Sequence, residues 1–250
     1  MSFPTDKLHR ILFIDIETAS VAPTYDDLRD SLQEHWQKRF DRYQHYSSEI
    51  NEECTVQEFF VDKAAIYAEY AKVICISVGY IRGGYPDHEI RIRSFSSDDE
   101  FQLLQDFSNL LNHFYYDRYN HSICGHNVKE FDIPFLCRRM IINQMRLPNV
   151  FNISGLKPWQ VSHIIDTLDM WKFGDYKHYT SLDLLCQVLN INSPKQSISG
   201  RDVSELYWHG GLSAIVKYCE EDVRATIEIF LKCMACQGLI KELPSINEEE

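Results

Sequence analysis

One segment, HRILFIDIE at residues 9–17, constrains the fold of this chain more than any other, because it is an apolar run that ends on two carboxylates. Its continuous stretch Ile11–Ile14 is typical of a strand buried on both faces, as the central strands of α/β sheets are. Successive side chains alternate between the faces of a strand, so Asp15 and Glu17 leave on the same face near its carboxyl end. Open α/β sheets bind ligands at that end of their strands. The segment therefore predicts a central strand that presents a pair of carboxylates to a site.

The rest of the chain alternates between strand and helix patterns, which predicts an α/β fold. Four more strands are predicted, at residues 72–80, 89–95, 122–125 and 162–165. Helices are predicted at residues 98–116, 132–145, 168–173, 181–191, 202–208 and 212–236. Ser97 or Asp98 is the expected N-cap of the first of these helices, and Ser181 that of the fourth. We expect a mixed central sheet of five strands flanked by helices.

No internal repeat, flexible linker or block of charge divides the sequence into two halves. We therefore predict a single domain over residues 1–240, followed by an acidic C-terminal tail at residues 241–250. Residues 20–70 contain two segments rich in helix formers, which predicts a helical insertion after strand 1. The sequence suggests no function for this insertion.

Charge and cysteine content restrict the partners and the compartment that we expect. The chain carries 37 acidic and 25 basic residues, a net charge of −12, so any contact with nucleic-acid phosphates must be local or bridged by metal. Its eight cysteines lie mostly in apolar runs, which favours a reducing cytoplasm. We expect no membrane association, because no apolar stretch reaches the roughly 20 residues that a membrane helix needs. We expect no nucleotide cofactor, because the glycine-rich phosphate-binding patterns are missing.

Adjacent carboxylates repel each other unless a cation lies between them. Hard divalent ions such as Mg²⁺ and Mn²⁺ prefer carboxylate and water oxygens, so Asp15 and Glu17 are candidate metal ligands. The spacing alone is weak evidence, since Asp98 and Glu100 repeat it at a predicted helix start. A strand-end residue that faces a loop is the alternative interpretation of Asp15.

A third carboxylate, Asp132, lies in GHNVKEFDIPFL, directly after the predicted strand 122–125 and at the start of a helix. Taken alone, it is an N-cap that accepts backbone N–H bonds, with Asn127 a turn residue and Phe131 a core residue. If this strand lies beside the first one, however, Asp132 faces the first two carboxylates.

A fourth carboxylate follows a tyrosine in the last predicted helix, as Tyr218-x-x-x-Asp222. Residues four apart share one face of a helix, so the hydroxyl and the carboxylate lie side by side. Tyr179 and Asp183 have the same spacing, and a surface tyrosine over an acidic residue is the alternative for either pair. The three motifs are informative through their order along the chain.

With these motifs in this order, the chain resembles the DEDD superfamily of 3′–5′ exonucleases on the ribonuclease H-like fold, in its tyrosine-bearing branch. It is similar to the proofreading exonuclease domain of family B DNA polymerases and to free-standing bacterial relatives. The family's motifs match FIDIET at residues 13–18, then Asn127-x-x-x-Phe131-Asp132, then Tyr218-x-x-x-Asp222. The resemblance spans roughly residues 9–235.

The resemblance implies an enzyme that hydrolyses terminal phosphodiester bonds of single-stranded DNA from the 3′ end and releases nucleoside 5′-monophosphates. It implies a catalytic set of Asp15, Glu17, Asp132, Tyr218 and Asp222. The four carboxylates of this set would hold two divalent metal ions, Mg²⁺ or Mn²⁺. The residues that would bind the terminal nucleotide are Thr18, Asn127 and Phe131. Candidate phosphate contacts are Lys129, Arg138, Arg139, Lys195 and Arg201.

Two alternatives stay open. The same site could act on RNA or short oligonucleotides, because selection at the 2′-hydroxyl depends on the shape of the pocket. The chain could also be a nucleic-acid-binding module that has kept the fold and lost turnover, although its complete set of carboxylates and Tyr218 argues against this. Asp166 and His163 are expected either to support the site or to cap a strand end.

Overall fold

The strands form one mixed sheet with the first strand at its centre. The computed structural model describes residues 5–46, 54–82, 89–175, 177, 179–192 and 200–238. Its strands are β1 (Ile11–Ser20), β2 (Ala71–Arg82), β3 (Glu89–Ser96), β4 (Ser122–Gly125) and β5 (Ile164–Asp166). Their order across the sheet is β3-β2-β1-β4-β5, with β1 antiparallel to β2 and parallel to β4. The predicted central strand and the predicted mixed sheet of five strands are confirmed.

The α-helices of the described part of the chain match the predicted segments to within a few residues. They are α1 (Asp30–Tyr46), α2 (Val56–Lys63), α3 (Glu100–Phe114), α4 (Asp132–Ile142), α5 (Thr167–Lys172), α6 (Leu182–Leu189), α7 (Val203–Trp208) and α8 (Leu212–Cys236). None of these described helices is both long and apolar enough to cross a membrane. The predicted acidic tail at residues 241–250 lies outside the described residues.

The N-cap of α3 is Asp99, so the predicted cap at Ser97 or Asp98 is wrong. The Asp99 carboxylate accepts the backbone N–H of Gln102 at 3.2 Å. Ser97 cannot take this role because its hydroxyl already accepts the N–H of Asp99, and Asp98 instead accepts the hydroxyl of Tyr207 at 2.7 Å. The predicted cap of α6 is confirmed, since Ser181 accepts the N–H of Leu184.

Both faces of the sheet are covered, which explains the continuous apolar run of β1. On one face, Phe13 meets Phe230 of α8 edge-on, with 5.3 Å between the ring centroids. Gly79 of β2 lets α8 come this close, because a Cβ there would lie 2.8 Å from side-chain atoms of both Val223 and Ile227. The other face packs against α3 and α4 through Leu12, Ile14, Ile16, Leu104, Phe107 and Leu136.

The long helix α8 runs antiparallel to β1. Cys219, near its start, contacts Asp15, whereas Leu231 and Met234, near its end, share an apolar cluster with Leu8 just before β1. The first turns of α8 therefore lie at the carboxyl end of β1. Burial of one large apolar side chain stabilises a fold by roughly 1.5–3 kcal/mol, so the packed α8 face fixes this position firmly.

The predicted helical insertion between β1 and β2 is built on its own aromatic cluster. Trp36 of α1 is fully buried and contacts Phe59, Phe60, Tyr67 and Tyr70 with ring centroids 4.7–6.0 Å apart. A short 3₁₀ turn at residues 64–66 follows α2 and leads back towards β1. The insertion is thus folded against the carboxyl end of the central strand.

Candidate active site

The first two carboxylates lie in the middle of β1 and not at its end, because the strand continues to Ser20, and they are on the face that α8 covers. Glu17 is buried and Asp15 is half-buried. The pairing of β1 with β2 shifts register between Glu17 and Thr18, because β2 has one extra residue there. Such bulges bend and twist a strand locally and are frequent next to active sites.

Asp132 reaches the same place from the start of α4. It is buried, and its Oδ1 accepts the backbone N–H of Ile16 at 3.1 Å. The interpretation of Asp132 as an ordinary N-cap is therefore wrong. Phe131 holds the N-cap position, and the Asp132 carboxylate is hydrogen-bonded to β1 instead. Burial raises the pKa of Asp132 to about 7, and the nearby carboxylates of Asp166 and Asp222 add to the rise.

Tyr218 and Asp222 are one turn apart on α8 and complete the cluster. Both are buried, and the Tyr218 hydroxyl donates a hydrogen bond to the Asp222 carboxylate. The pKa of Tyr218 is raised above its usual value by burial first and then by Asp222, Glu17 and Asp15. The hydroxyl therefore stays protonated and acts as a donor.

The four carboxylates act on one another electrostatically. Burial raises the pKa of Asp15 well above its usual range, and Asp222, Asp132 and Glu17 raise it further. The pKa of Glu17 is raised in the same way, by burial first and by Asp222 next. Segments far apart in the sequence thus bring four acidic groups together at one point.

This carboxylate cleft has a volume of about 640 Å³. The described carboxylates that line it are Asp15, Glu17, Asp62, Asp132, Asp183 and Asp222. Among the described residues of the lining, Arg201 is the only arginine or lysine. The donor set fits hard divalent cations, which select carboxylate oxygens and would relieve the mutual repulsion.

Cys219 belongs to this cluster although the sequence analysis treated the cysteines as buried apolar residues. Its thiol donates a hydrogen bond to Asp15 Oδ2, with 3.3 Å between Sγ and Oδ2. The sulfur also lies within 4.8 Å of a carboxylate oxygen of Asp15 and of Glu17. Burial raises the pKa of the thiol well above its usual value, so it stays protonated. A signal was present in the sequence, because Cys219 precedes Asp222 by three residues on one helical face.

The loop after β4 is held in place by Asp166, the last residue of β5. Its carboxylate accepts the backbone N–H groups of Asn127 at 2.9 Å and Lys129 at 3.1 Å, and also caps α5 through Leu168. Asp166 is therefore a cap at the end of β5 that also holds the loop carrying Asn127. Gly125 is required at the start of this loop, because a Cβ would lie 2.7 Å from the side chain of Val128.

The three predicted nucleotide-binding residues all line the carboxylate cleft. Asn127 has a left-handed backbone, with φ 60°, and its Oδ1 is buried with no hydrogen-bond partner among the described residues. Phe131 is half-buried and its ring packs on Phe135 at 5.5 Å. Thr18 donates its hydroxyl proton to the main-chain oxygen of Ala65 at 2.7 Å.

The candidate phosphate contacts are placed very differently from one another. Arg139 is buried and pairs with Glu100, with 2.8 Å between Nε and Oε1, so its expected phosphate contact is wrong. Lys129 is paired with Asp169 at 2.9 Å, and Arg138 is exposed outside the lining of the cleft. Arg201 does line the cleft. Lys195 lies outside the described residues.

The two residue pairs that share the spacing of the motifs, Asp98 with Glu100 and Tyr179 with Asp183, lie in different places. Glu100 is a structural residue that binds Arg139 and accepts the N–H of Val73 at 2.8 Å. Tyr179 is 66% exposed, as expected of a surface tyrosine, and both Tyr179 and Asp183 line the carboxylate cleft. His163 does not reach the cleft, because its Nε2 is bonded to the main-chain oxygen of Val150.

The insertion supplies another wall of the same cleft. Val61, Asp62, Ala65 and Ile66 line it. Val61 and Ile66 are 49% and 51% exposed, so they present apolar surface to the cleft. No pattern within residues 20–70 indicated this, since the contact depends on how α2 folds back onto β1.

A comparison with solved structures places this architecture among known folds. The chain is similar to the family B DNA polymerase from the hyperthermophilic archaeon Pyrobaculum calidifontis, with a TM-score of 0.52 and 16% sequence identity. The likeness covers 92% of this chain and 24% of the polymerase, so the chain spans about a quarter of that protein's length. At 16% sequence identity, this likeness supports the predicted ribonuclease H-like fold and is no evidence about activity. None of the curated proteins matches the sequence.

Fold and site together define a class, an α/β domain of ribonuclease H-like architecture with carboxylates gathered on one face of its central strand. Residues 64–250 match the model of a family described as a predicted 3′–5′ exonuclease related to the exonuclease domain of PolB. This is more than half of the chain, and the chain belongs to that family. The predicted enzyme class is thereby confirmed. The matched range includes Asp132 and Asp222, whereas Asp15 and Glu17 precede it.

Proposed function

We propose that the carboxylate cleft removes nucleotides one at a time from the 3′ end of single-stranded DNA and releases nucleoside 5′-monophosphates. The observation that carries this proposal is the convergence of four buried or half-buried carboxylates beside the Tyr218 hydroxyl. Burying several carboxylates together costs free energy in any protein, so the arrangement needs a partner that repays it. The 3′–5′ polarity is supported by the description of the family, and the choice of DNA by the likeness to a DNA polymerase.

In this proposal Asp15, Glu17, Asp132 and Asp222 hold two divalent ions, Mg²⁺ or Mn²⁺. When bound, such ions lower the pKa of a coordinated water molecule and neutralise charge on the phosphate under attack. The Cys219 thiol does not serve as a ligand to a hard ion. Its hydrogen bond to Asp15 holds that carboxylate in place instead.

Tyr218 positions the attacking water. Its hydroxyl is protonated, is held beside the carboxylates by α8, and donates a hydrogen bond to Asp222. In the presence of substrate, the hydroxyl accepts a hydrogen bond from the attacking water or donates one to it, and it keeps its proton. Either way the ring fixes the direction of approach, while the carboxylates keep the negative charge that the cations require.

Thr18, Asn127 and Phe131 bind the terminal nucleotide. Asn127 offers a buried amide oxygen without a partner among the described residues, which fits a polar group of the nucleotide. Phe131 presents part of its ring to the cleft and packs against the base or the sugar. Thr18 keeps oxygen lone pairs available after donating its proton to Ala65.

The insertion extends this binding surface. The exposed aliphatic side chains of Val61 and Ile66 lie in the lining of the cleft, next to the Ala65 carbonyl that Thr18 contacts. They cover apolar surface of a base or sugar in the terminal nucleotides. Such a contact does not depend on the nucleotide sequence of the substrate. The insertion between β1 and β2 thereby serves the substrate and not only the fold.

The experiment is incubation of the pure protein with 5′-end-labelled single-stranded DNA and RNA of one sequence, in Mg²⁺, Mn²⁺ or EDTA. We expect a ladder of DNA products shortened from the 3′ end in either metal and intact DNA in EDTA. Faster degradation of RNA than of DNA would show that RNA, and not DNA, is the preferred substrate. Binding of both strands without cleavage in any metal would contradict the proposal and favour a binding module.

A further inference from the structure

A second cleft lies towards the other end of β1 from the carboxylates and on the opposite face of the sheet. It encloses about 950 Å³, and Leu12 of β1 lines it. Asp15 and Glu17 are three and five residues further along β1 and leave the other face. At about 3.3 Å per residue, the two clefts are roughly 10–17 Å apart along the strand. We name it the basic cleft and define it by Arg10, Tyr80, Arg91, Arg93, Phe114 and Tyr116.

Arginines dominate the charge of the basic cleft. Three arginines line it, and Asp117 is the only carboxylate among the described residues of the lining. Arg10 donates to the side-chain oxygen of Asn120 at 3.4 Å, and neither Arg10 nor Arg93 has a carboxylate partner among the described residues. In a chain with a net charge of −12, this is a local site of positive charge.

The arginines of β3 are presented in a fixed direction. Arg91 and Arg93 are two residues apart on one strand and so share a face of the sheet. The Arg93 guanidinium lies 4.7 Å from the centroid of the Phe95 ring, which restricts its motion. Arg91 pairs with Glu89 at the end of the strand, so Arg93 and Arg10 provide most of the attraction for an anion.

Aromatic rings stand beside these cations with much of their surface open to solvent. Tyr80 lies opposite Arg91 in the pairing of β2 with β3. Phe114 and Tyr116, at the end of α3, are 61% and 58% exposed. Large rings of this kind are usually covered in a folded protein, and rings next to arginines match a ligand that is both planar and anionic.

We propose that the basic cleft binds a nucleotide, either free or as one unit of a single strand. Arg10 and Arg93 bind the phosphate through charge-assisted hydrogen bonds, and a ring of the cleft stacks with the base. The volume lies at the upper end of the range of about 300–1,000 Å³ that ligand sites occupy, which is room enough for a nucleotide. An acidic peptide satisfies the arginines equally well but makes no use of the exposed rings.

This binding does not depend on the hydrolysis proposed above. The basic cleft contains none of the four clustered carboxylates, and no described carboxylate other than Asp117 lines it. Binding can therefore be measured in EDTA, where a metal-dependent nuclease is silent. Failure of the nuclease proposal would leave the measurement valid, and failure of the binding would leave the nuclease proposal standing.

The test measures the affinity of the full-length protein in EDTA for three probes, a fluorescent deoxyadenosine decamer, deoxyadenosine 5′-monophosphate and inorganic phosphate. We expect the decamer and the monophosphate to bind, and phosphate to bind at least about tenfold more weakly because it lacks a base to stack.

Arg10→Gln together with Arg93→Gln should weaken binding of the decamer and the monophosphate by about tenfold or more, since charge-assisted hydrogen bonds are lost. Phe114→Ser with Tyr116→Ser should weaken the monophosphate but not phosphate. A decamer that binds more tightly than the monophosphate identifies a strand as the ligand, and equal affinity identifies a free nucleotide.

Arg42→Gln is the matched control, because it removes one exposed arginine from α1, away from both clefts. It should leave all three affinities within about twofold. Thermal melting checks that each variant is folded, and Arg93→Gln alone is the fallback because Arg93 is exposed. Affinities that do not change in the folded arginine variants would overturn the proposal. So would a poly-glutamate decamer that binds as tightly as the oligonucleotide, since the site would then be a general anion site.

Discussion

The carboxylate cleft and the basic cleft share the central strand β1, but the pKa values of their acidic groups are shifted in opposite directions. In the first, burial and mutual repulsion raise the pKa values of Asp15, Glu17 and Asp132. In the second, hydrogen bonds from Tyr119 and Asn120 lower the pKa of Asp117. No basic side chain lowers the pKa of Asp15, Glu17 or Asp132 among the described residues, whereas Asp117, the one described carboxylate of the second cleft, is hydrogen-bonded within its own loop. The proposed cation site and the proposed anion site differ in this way.

The largest effect that the comparison predicts is the loss of hydrolysis when one clustered carboxylate is neutralised. We expect Asp15→Asn and Asp222→Asn each to lower the rate by more than about 10³-fold, because a ligand for the cations and its charge are both removed. Release of DNA products, followed under single-turnover conditions, is the measurement. Both variants should remain folded, since removing one of several repelling charges relieves repulsion.

Asp183→Asn is the control for this prediction, because Asp183 lines the same cleft and follows Tyr179 with the spacing of the real motif. It should keep activity within about threefold of the wild type. An inactive Asp183→Asn combined with an active Asp222→Asn would show that the motif has been assigned to the wrong helix.

The next effect concerns the hydroxyl beside the carboxylates. Tyr218→Phe keeps the buried ring and removes one positioned hydrogen bond, so we expect kcat to fall by about 10²–10³-fold, as with other positioned donors. KM should change little, since the lost contact is to water. Tyr179→Phe, in the wall of the same cleft, should be nearly silent. Wild-type turnover in the Tyr218 variant would reduce the residue to a packing role.

The raised pKa of Asp132 predicts how the metal-free protein responds to pH. Its pKa is about 7 in the folded state against an ordinary value of 3.8, so between these values the folded protein binds a proton that the unfolded chain lacks. Stability due to this group therefore falls as pH rises from 3.8 to about 7 and is regained on acidification. From pH 7 to pH 5 the gain is on the order of 2 kcal/mol.

Denaturant unfolding in EDTA at the two pH values measures this gain, and Asp132→Asn isolates it. The variant cannot titrate at this position, so its gain between pH 7 and pH 5 should be smaller than that of the wild type by roughly the same amount. Equal gains in the two proteins would contradict the buried, repelled state of Asp132.

The smallest effect sharpens the role of the insertion. Val61→Ser with Ile66→Ser removes the two exposed aliphatic side chains from the wall of the carboxylate cleft, and we expect KM to rise by about 5–10-fold with kcat nearly unchanged. Val188→Ser is the matched control, because Val188 is an equally exposed aliphatic residue on α6 outside both clefts. A fall in kcat without a change in KM would assign the wall to positioning of the reacting groups.

Local patterns predicted the parts of the carboxylate cleft that a single element determines. The apolar run of β1 placed Asp15 and Glu17 on one face, and the helical spacing placed Tyr218 beside Asp222. The position of Asp132 followed once β4 was expected beside β1.

Features that depend on two distant elements could not be found in this way. Arg139 looked like a phosphate contact because nothing near it in sequence reveals Glu100, its partner 39 residues away. Arg91 and Arg93 read as an ordinary exposed strand until the end of α3 is placed beside them. The cleft wall of Val61 and Ile66 likewise exists only after the insertion folds back onto the sheet.

The most direct test of the account is the binding of Mn²⁺ to the metal-free protein, counted by the electron paramagnetic resonance signal of the free ion. We expect about two ions to bind per chain, and each site to raise the free energy of unfolding by about 2.7 kcal/mol when the ion is present at 100 times the Kd of that site. Asp15→Asn and Asp222→Asn should lose binding, while Asp183→Asn should keep it. Absence of binding at millimolar Mn²⁺, or equal binding by all four proteins, would contradict the account.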